Sequence, residues 1–130
     1  MPYDMCIVRA GEFIRCGPHG AIDLPETRRI LASLAAALVG RGVGKAILDL
    51  RIASIDPPLT YTQLYELART FQQAGFGPKH RLALLVPPNK YDKAEFFATC
   101  ASSPAWNCYA FDSFEEALDW LTDSIELPTP

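Results

Sequence analysis

Side chains that could bind or react are concentrated in the segments that follow the apolar runs of this chain. The segments 17–20, 51–60 and 87–92 carry an imidazole, charged groups, hydroxyls and an amide. The candidate binding residues in them are His19, Arg51, Ser54, Asp56, Thr60, Asn89, Lys90, Tyr91 and Asp92. Loops at the carboxyl ends of parallel strands often form binding sites, so we expect a polar pocket or a docking surface here. The alternative is that these turns are polar only because turns lie in water.

No motif in the chain specifies catalysis or a metal site. Cys16 and His19 are three residues apart, but structural zinc takes four ligands and no second pair has matching spacing. A nucleophilic thiol needs a base such as His19 or His80 within hydrogen-bond reach, and nothing in the sequence orients one. The glycine-rich segment 40–45 lies between a helix and a strand, the reverse of the order in a phosphate loop. We therefore predict no catalytic residue, no metal and no cofactor.

Five short apolar runs predict the strands that would position these loops. They lie at 4–10, 12–16, 45–50, 81–86 and 106–111. The first two are separated by Gly11 and alternate with polar residues, which is typical of an edge hairpin. The runs at 45–50 and 81–86 are too apolar for strands with one face in water, so we expect a parallel sheet covered on both faces. The segment 51–59 is predicted to be irregular.

Four helices are predicted between and after these strands. Each begins with a polar residue that can cap the first turn, followed by a second polar residue three positions later. These pairs are Asp23 with Glu26, Thr60 with Gln63, Asn89 with Asp92, and Ser113 with Glu116. Behind each pair, apolar residues recur at helical spacing and define a stripe that faces the sheet. Tyr65 and Phe96 fall outside these stripes, so they are candidates for a homodimer contact.

The composition indicates one globular domain. The chain has 130 residues, of which 49% are hydrophobic and 21% charged, enough to bury a core without metals or disulfides. We expect the domain to span residues 1–125, with 126–130 as a frayed tail. The net charge of -3 and the scattered basic residues argue against nucleic acid or an anionic membrane as a partner.

The expected compartment is the cytoplasm. Met1 is not followed by the charged start and apolar stretch of a secretory signal. The longest apolar run, 30–39, is shorter than the roughly 20 residues that a membrane-spanning helix needs, so we expect no transmembrane segment. We expect the four cysteines to be reduced core thiols, namely Cys6, Cys16, Cys100 and Cys108.

The order of the predicted elements and three stretches of sequence resemble the STAS superfamily, specifically its SpoIIAA-like branch. The stretches are the opening hairpin, the strand Lys-Ala-Ile-Leu-Asp-Leu-Arg at 45–51, and the strand with its capped helix at 110–121. The resemblance implies a single-domain α/β sandwich with a mixed, mostly parallel five-stranded sheet flanked by four helices. It covers nearly the whole chain but rests on packing patterns, which specify a fold and not a chemistry.

The same resemblance bears on regulation. In the anti-sigma-factor antagonists of this superfamily, a phosphorylatable serine begins the helix after the third strand, in a motif that ends in glycine. The matching region here is 50–60, where Ser54 and Thr60 are the nearest hydroxyls and neither is followed by glycine. The resemblance makes these two residues candidate phosphosites.

Three functions are consistent with the sequence. The first is a non-catalytic, bacterial-type regulatory module that binds a protein partner through the loop edge. The second is a domain that binds a small apolar or acidic molecule or a lipid at the same edge, with Arg51 or Lys90 holding an acidic head group. The third is a weak hydrolase that uses His19 with Ser54 or Cys16. We rank them in this order, with the first two close together.

Overall fold

The structure describes residues 3–8, 13–41, 44–102 and 107–122. Within these residues, the strands form a five-stranded sheet and a two-stranded ribbon. The structure is a computed structural model. The strands are β1 (Tyr3–Val8), β2 (Phe13–Pro18), β3 (Gly20–Ile22), β4 (Lys45–Asp49), β5 (Ala53–Ile55), β6 (Arg81–Leu85) and β7 (Cys108–Phe111). The helices are α1 (Leu24–Arg41), α2 (Tyr61–Gln73), α3 (Tyr91–Ala101) and α4 (Phe114–Thr122).

The five-stranded sheet is mixed and mostly parallel. Its order is β1-β2-β4-β6-β7, in which β1 runs antiparallel to β2 and every other neighbouring pair is parallel. This confirms the predicted fold class of an N-terminal hairpin joined to a parallel sheet and flanked by four helices. Because β2, β4, β6 and β7 point the same way, the loops that follow them all leave the sheet at the carboxyl ends of these strands, which we call the loop edge or sheet edge.

The two faces of this sheet are covered unequally. Alternate strand residues such as Ala46, Leu48 and Leu84 form the larger core cluster with the apolar stripes of α1, α2 and α3. The intervening residues, such as Ile47 and Leu85, form a smaller cluster with α4. Successive side chains of a strand point to opposite faces, which explains why the two runs are apolar throughout.

Three of the predicted helix starts have the expected caps. The N–H of Glu26 donates to the Asp23 carboxylate at 2.9 Å, and the N–H of Asp23 donates back to the Glu26 carboxylate at 3.1 Å. Thr60 forms the same reciprocal pair with Gln63. At α4, the Ser113 hydroxyl accepts from the Glu116 N–H at 3.3 Å. These bonds satisfy amide groups that the first helical turn leaves without partners.

The predicted start of the third helix is wrong. A 3₁₀ turn covers Pro88–Lys90, and α3 begins after it at Tyr91, with Lys90 as a cap residue that makes no side-chain cap bond. Proline fixes its own backbone angle and suits the first position of such a turn. The extra turn moves Asn89 out of the capping position and to the sheet edge.

The prediction that 51–59 is irregular is also wrong. Ala53–Ile55 forms β5, which pairs in parallel with β3, so that Gly20 lies opposite Ala53 and Ile22 opposite Ile55. Two flanking bonds extend the ribbon: the Gly20 N–H donates to the Ile52 carbonyl at 3.1 Å, and the Asp56 N–H to the Ile22 carbonyl at 2.9 Å. Gly20 has a φ of 76°, which glycine adopts without steric cost.

Some predictions fall on residues outside the described ranges. They include the predicted strand positions 9–10, 12 and 106, part of the glycine-rich segment 40–45, and the frayed tail at 126–130. Within the described residues, no helix is long and apolar enough to cross a membrane.

A buried carboxylate ends β4 on the face that α4 covers. Asp49 is 4% exposed, and its carboxylate accepts from the Arg15 guanidinium at 3.1 Å. Arg51 approaches the same carboxylate with two guanidinium nitrogens, Nε at 3.0 Å and Nη2 at 2.9 Å, and with its backbone N–H at 3.1 Å. Asp49 thereby joins β2, β4 and the following loop at the edge where the sheet ends.

The ion pairs set the titration of Asp49. Burial alone would raise the pKa of this carboxyl, but the side-chain and backbone hydrogen bonds from Arg51 and the charges of Arg51 and Arg15 outweigh burial. The pKa is therefore lowered below its ordinary value, and the carboxylate is charged at neutral pH.

We expect Asp49→Asn to lower the free energy of unfolding by about 2 kcal/mol at about pH 7. The amide removes the charge that strengthens three guanidinium hydrogen bonds, and its NH2 group cannot accept the two that reach Oδ2. The partial exposure of both guanidinium groups keeps this value below the cost of breaking a fully buried pair. The lowered folded-state pKa means that the stabilisation is present above the unfolded-state pKa, about 3.9, and is lost as pH falls through the folded-state value. Urea unfolding at about pH 7 and about pH 3 measures both effects.

Asp119→Asn is the matched control, because Asp119 is an exposed aspartate on α4. It should leave the free energy of unfolding nearly unchanged at both pH values. Equal losses for the two variants, or an Asp49→Asn loss that is as large in acid as at neutral pH, would contradict the role assigned to the ion pairs.

Candidate functional site

An apolar cavity of about 420 Å³ lies at the carboxyl ends of β4 and β6, on the face that α1, α2 and α3 cover. Leu48 and Leu84 from the two strands line it next to the sheet, and Ile30, Leu64 and Phe97 line it from the three helices. Ligand pockets in proteins have volumes of roughly 300–1,000 Å³ and mainly hydrophobic walls. The cavity has the size and the chemistry of a site for a small apolar molecule.

The two-stranded ribbon forms one wall of the cavity. Ile22, Ala53 and Ile55 from β3 and β5 line it, and Pro58 and Leu59 continue the wall toward α2. The sheet edge alone would leave this side open, since β4 ends at Asp49. Pairing β3 with β5 therefore gives the cavity a wall with hydrogen-bonded backbone.

Four polar side chains line the cavity from the turn before α3 and its first residues. They are Asn89, Lys90, Asp92 and Lys93. The Lys93 ammonium donates to the Leu59 carbonyl and lies 5.7 Å from the ring centre of Tyr61. The Tyr61 ring in turn meets Phe96 edge-to-face, with 4.9 Å between ring centres. These contacts join α3 to the start of α2 across the cavity.

The structure brings part of the predicted site set to this cavity. Asn89, Lys90 and Asp92 line it. Thr60 lies between two lining residues, and its hydroxyl is engaged in the cap of α2. The binding roles of all the residues in this set stay predictions.

The remaining polar candidates share the sheet edge without lining the cavity. His19 is exposed between β2 and β3, Ser54 is exposed in β5, and Asp56 is exposed just after β5. The ribbon pairing brings the 17–20 and 51–60 loops together by direct hydrogen bonds, as the parallel topology predicts. Ser54 and Thr60 both have exposed positions, and their phosphorylation stays a prediction.

Arg51 lies on the opposite face of the sheet from the cavity. Its guanidinium is held by Asp49, and its carbon Cζ lies 5.9 Å from the ring centre of Phe114 at the start of α4. The ion pair raises the pKa of Arg51 through the hydrogen bond to Asp49. Arg51 does not line the cavity, and its role in holding a head group at the loop edge stays a prediction.

Tyr91 is half-buried at the start of α3 and packs against the larger core cluster. Burial raises the pKa of its hydroxyl, and the nearby carboxylates of Glu95, Asp112 and Glu116 raise it further. The phenol is therefore neutral at physiological pH and is not a base.

The titratable thiols near the core are poor nucleophiles. Burial raises the pKa of Cys108 strongly and that of Cys100 to a smaller degree. Both thiols are therefore protonated at neutral pH, and only the thiolate is reactive. Within the part of the chain that the structure describes, no three His, Cys, Asp or Glu side chains converge as a metal site would require.

The sequence reasoning missed Lys93 and the apolar lining of the cavity. Lys93 follows Lys90 by three residues, a spacing that brings side chains together on one side of a helical turn. Leu50 and Val86 also line the cavity, but the sequence placed them within the predicted strands 45–50 and 81–86 and so gave no signal of a lining role. Tyr65 is 47% exposed and Phe96 is half-buried, so the homodimer contact through them stays a prediction.

Comparison with solved structures identifies the fold, whereas no family model and no curated protein matches the chain. An uncharacterised DUF3478 protein with a SpoIIAA-like fold from Shewanella loihica PV-4 is 16% identical, with a TM-score of 0.54 over 92% of this chain and 91% of that chain. Phosphorylated SpoIIAA, a Bacillus cell fate determinant, is 18% identical, with a TM-score of 0.53 over 91% and 97%. The unphosphorylated anti-sigma factor antagonist SpoIIAA is 16% identical, with a TM-score of 0.48 over 88% and 91%. The first two likenesses confirm the SpoIIAA-like fold that the sequence resemblance predicted.

Proposed function

We propose that the protein binds one small, largely apolar ligand in the cavity between the sheet edge and α1, α2 and α3. The observation that carries this proposal is the cavity itself, about 420 Å³ lined mainly by aliphatic and aromatic side chains. Transfer of apolar surface from water into such a cavity is favourable, at roughly 25 cal/mol per Å². Of the three functions the sequence allowed, the second has the strongest geometric support.

The surroundings of the cavity support a preformed site. Its lining residues come from two parallel strands, three helices and the hydrogen-bonded ribbon. Leu48 and Leu84 are directly paired in neighbouring strands, so their spacing is set by the sheet. A cavity built on such elements needs little ordering when a ligand enters, which lowers the entropic cost of binding.

The position of the polar side chains also supports the proposal. The charged and amide side chains Asn89, Lys90, Asp92 and Lys93 are grouped on the α3 side, whereas the strand and ribbon sides contribute aliphatic residues. Thr27 on α1 also lines the cavity, and its hydroxyl donates to the Asp23 carbonyl. A few polar groups placed at one side of an apolar pocket orient a ligand without reducing its apolar contact. This distribution favours a ligand with one polar end.

We expect Ala94→Phe to abolish binding of a neutral apolar probe. Ala94 lies half-buried on α3 and lines the cavity, so a phenyl ring there would occupy the space that the ligand needs. Fluorescence titration with aminoanthracene should show one saturable site in the wild type and at least about tenfold weaker binding in Ala94→Phe. The matched control is Ala36→Phe, because Ala36 is exposed on α1 and the same substitution leaves the cavity unchanged.

Equal aminoanthracene binding by the wild type, Ala94→Phe and Ala36→Phe would place the probe elsewhere and refute the proposed site. The same conclusion follows if the wild type shows no saturable binding. Thermal unfolding of each variant, measured beside the titrations, verifies that Ala94→Phe is folded.

Docking of a regulatory protein is the second candidate function. One observation favours it: Ile52, at the tip of the loop between β4 and β5, is 72% exposed. Exposed apolar side chains that form one patch often mark a surface that contacts another protein. Tyr61 and Tyr65, at 49% and 47% exposed, lie one turn apart on α2 near the same edge.

We expect Ile52→Ser to lose crosslinked partners that the wild-type protein captures in a lysate of its source organism. Val39→Ser is the control, because Val39 is 55% exposed on the last turns of α1, away from the loop edge. Quantitative mass spectrometry of the captured proteins compares the two variants. An unchanged set of partners in Ile52→Ser would refute docking through this loop.

A further inference from the structure

Resting on the proposed function, we propose that the ligand is a single-chain amphiphile with a carboxylate head group and an alkyl chain of about ten to twelve carbons. The chain would fill the cavity, and the head group would lie at Lys93 and Lys90. The argument uses the volume of the cavity and the charges on its α3 side.

The volume indicates the approximate length of the chain. One water-sized group occupies about 30 Å³ in a liquid, so a cavity of about 420 Å³ holds about fourteen such groups. A methylene group is close to this size, and the two oxygens and the carboxyl carbon of a head group take part of the space. Chains of about ten to twelve carbons therefore match the cavity, and chains of about six carbons leave half of it empty.

The charge of the head group follows from Lys93. Lys93 is a half-buried residue, and the partners of its ammonium among the described residues are neutral: the Leu59 carbonyl and the Tyr61 ring. Both ion pairs in the described residues belong to Asp49, so Lys93 has no carboxylate partner there. An ammonium has three N–H donors, and a partly buried cation is stabilised by a nearby anion.

The other polar lining residues agree in sign. Lys90 is exposed and lines the cavity, as does Lys93, and Asn89 contributes an amide that can donate to a carboxylate. Asp92 is the acidic member of the described lining and is exposed to water. Within the lining itself, two lysines and one aspartate sum to a positive charge, whereas the carboxylates of Glu95, Asp112 and Glu116 lie near Tyr91 and do not line the cavity. The lining therefore favours an anionic head group over an ammonium head group.

The test compares three ligands that share a ten-carbon chain and differ in head-group charge. Decanoate, decanol and decyltrimethylammonium are titrated into the full chain by calorimetry, below the concentrations at which they form micelles. Decanoate should bind at one site and at least about tenfold more tightly than decanol, since hydrogen bonds to charged groups are the stronger ones. Decyltrimethylammonium should bind more weakly than decanol. Hexanoate should bind more weakly than decanoate because it buries fewer methylene groups.

Lys93→Gln identifies the residue that reads the head group. Glutamine retains a donor for the Leu59 carbonyl and removes the charge, so decanoate binding should weaken by about tenfold while decanol binding stays unchanged. Lys79→Gln is the control, because Lys79 is exposed before β6 at the opposite edge of the sheet. If Lys93→Gln proves unstable, Lys90→Gln is the second variant, because Lys90 is exposed. It should also weaken decanoate binding.

The outcomes separate the two proposals. If decanol binds the wild type as tightly as decanoate and Ala94→Phe abolishes both, the cavity site stands and the carboxylate inference is refuted. The carboxylate inference is also refuted if the wild type binds decyltrimethylammonium more tightly than decanoate. It is refuted as well if Lys93→Gln and Lys90→Gln both bind decanoate as tightly as Lys79→Gln does. If none of the ten-carbon ligands and no aminoanthracene binds the wild type, the proposed function fails as well.

Discussion

Parallel pairing of β2, β4, β6 and β7 is the constraint on which the rest of this structure depends. Parallel neighbours send their following loops to one edge, so residues far apart in sequence meet there. The turn at Pro88–Lys90, the ribbon strand β5 and the N-terminal cap of α2 all belong to this edge. A cavity at this place combines lining residues from every helix that covers the near face.

Unequal coverage of the two sheet faces decides which side of this edge can bind. Three helices surround the face that carries Leu48 and Leu84, and they separate enough at the edge to leave an apolar cavity. The α4 face is closed differently, because Asp49 and its two arginines fix the end of β4 with charge. One face therefore holds an apolar space with cations beside it, and the other holds a satisfied ion-pair cluster.

The sequence predicted the elements with strong local signals. The apolar runs at 45–50 and 81–86 required burial on both faces, and the capping pairs at Asp23 and Thr60 located helix starts. The ribbon escaped prediction because three-residue strands carry no periodicity and depend on contacts more than thirty residues apart. The ion pair of Arg51 escaped prediction because its partner, Asp49, lies within an apolar run that gave no sign of a buried carboxylate. The cavity escaped prediction for a further reason: Leu64, Leu67 and Phe97 fit a core stripe equally well whether they fill a core or line a space.

The most direct measurement of the central claim is a methyl NMR titration of the protein with aminoanthracene, whose ring current shifts nearby methyl signals. Each of the two strands provides an internal control. In β4, Leu48 lines the cavity while Ile47 faces α4, and in β6, Leu84 lines the cavity while Leu85 faces α4. We predict large, saturable shifts for Leu48, Leu84 and Ile30, and small ones for Ile47 and Leu85. Shifts confined to Ile47, Leu85 and Leu121, or spread evenly over both faces, would contradict the account.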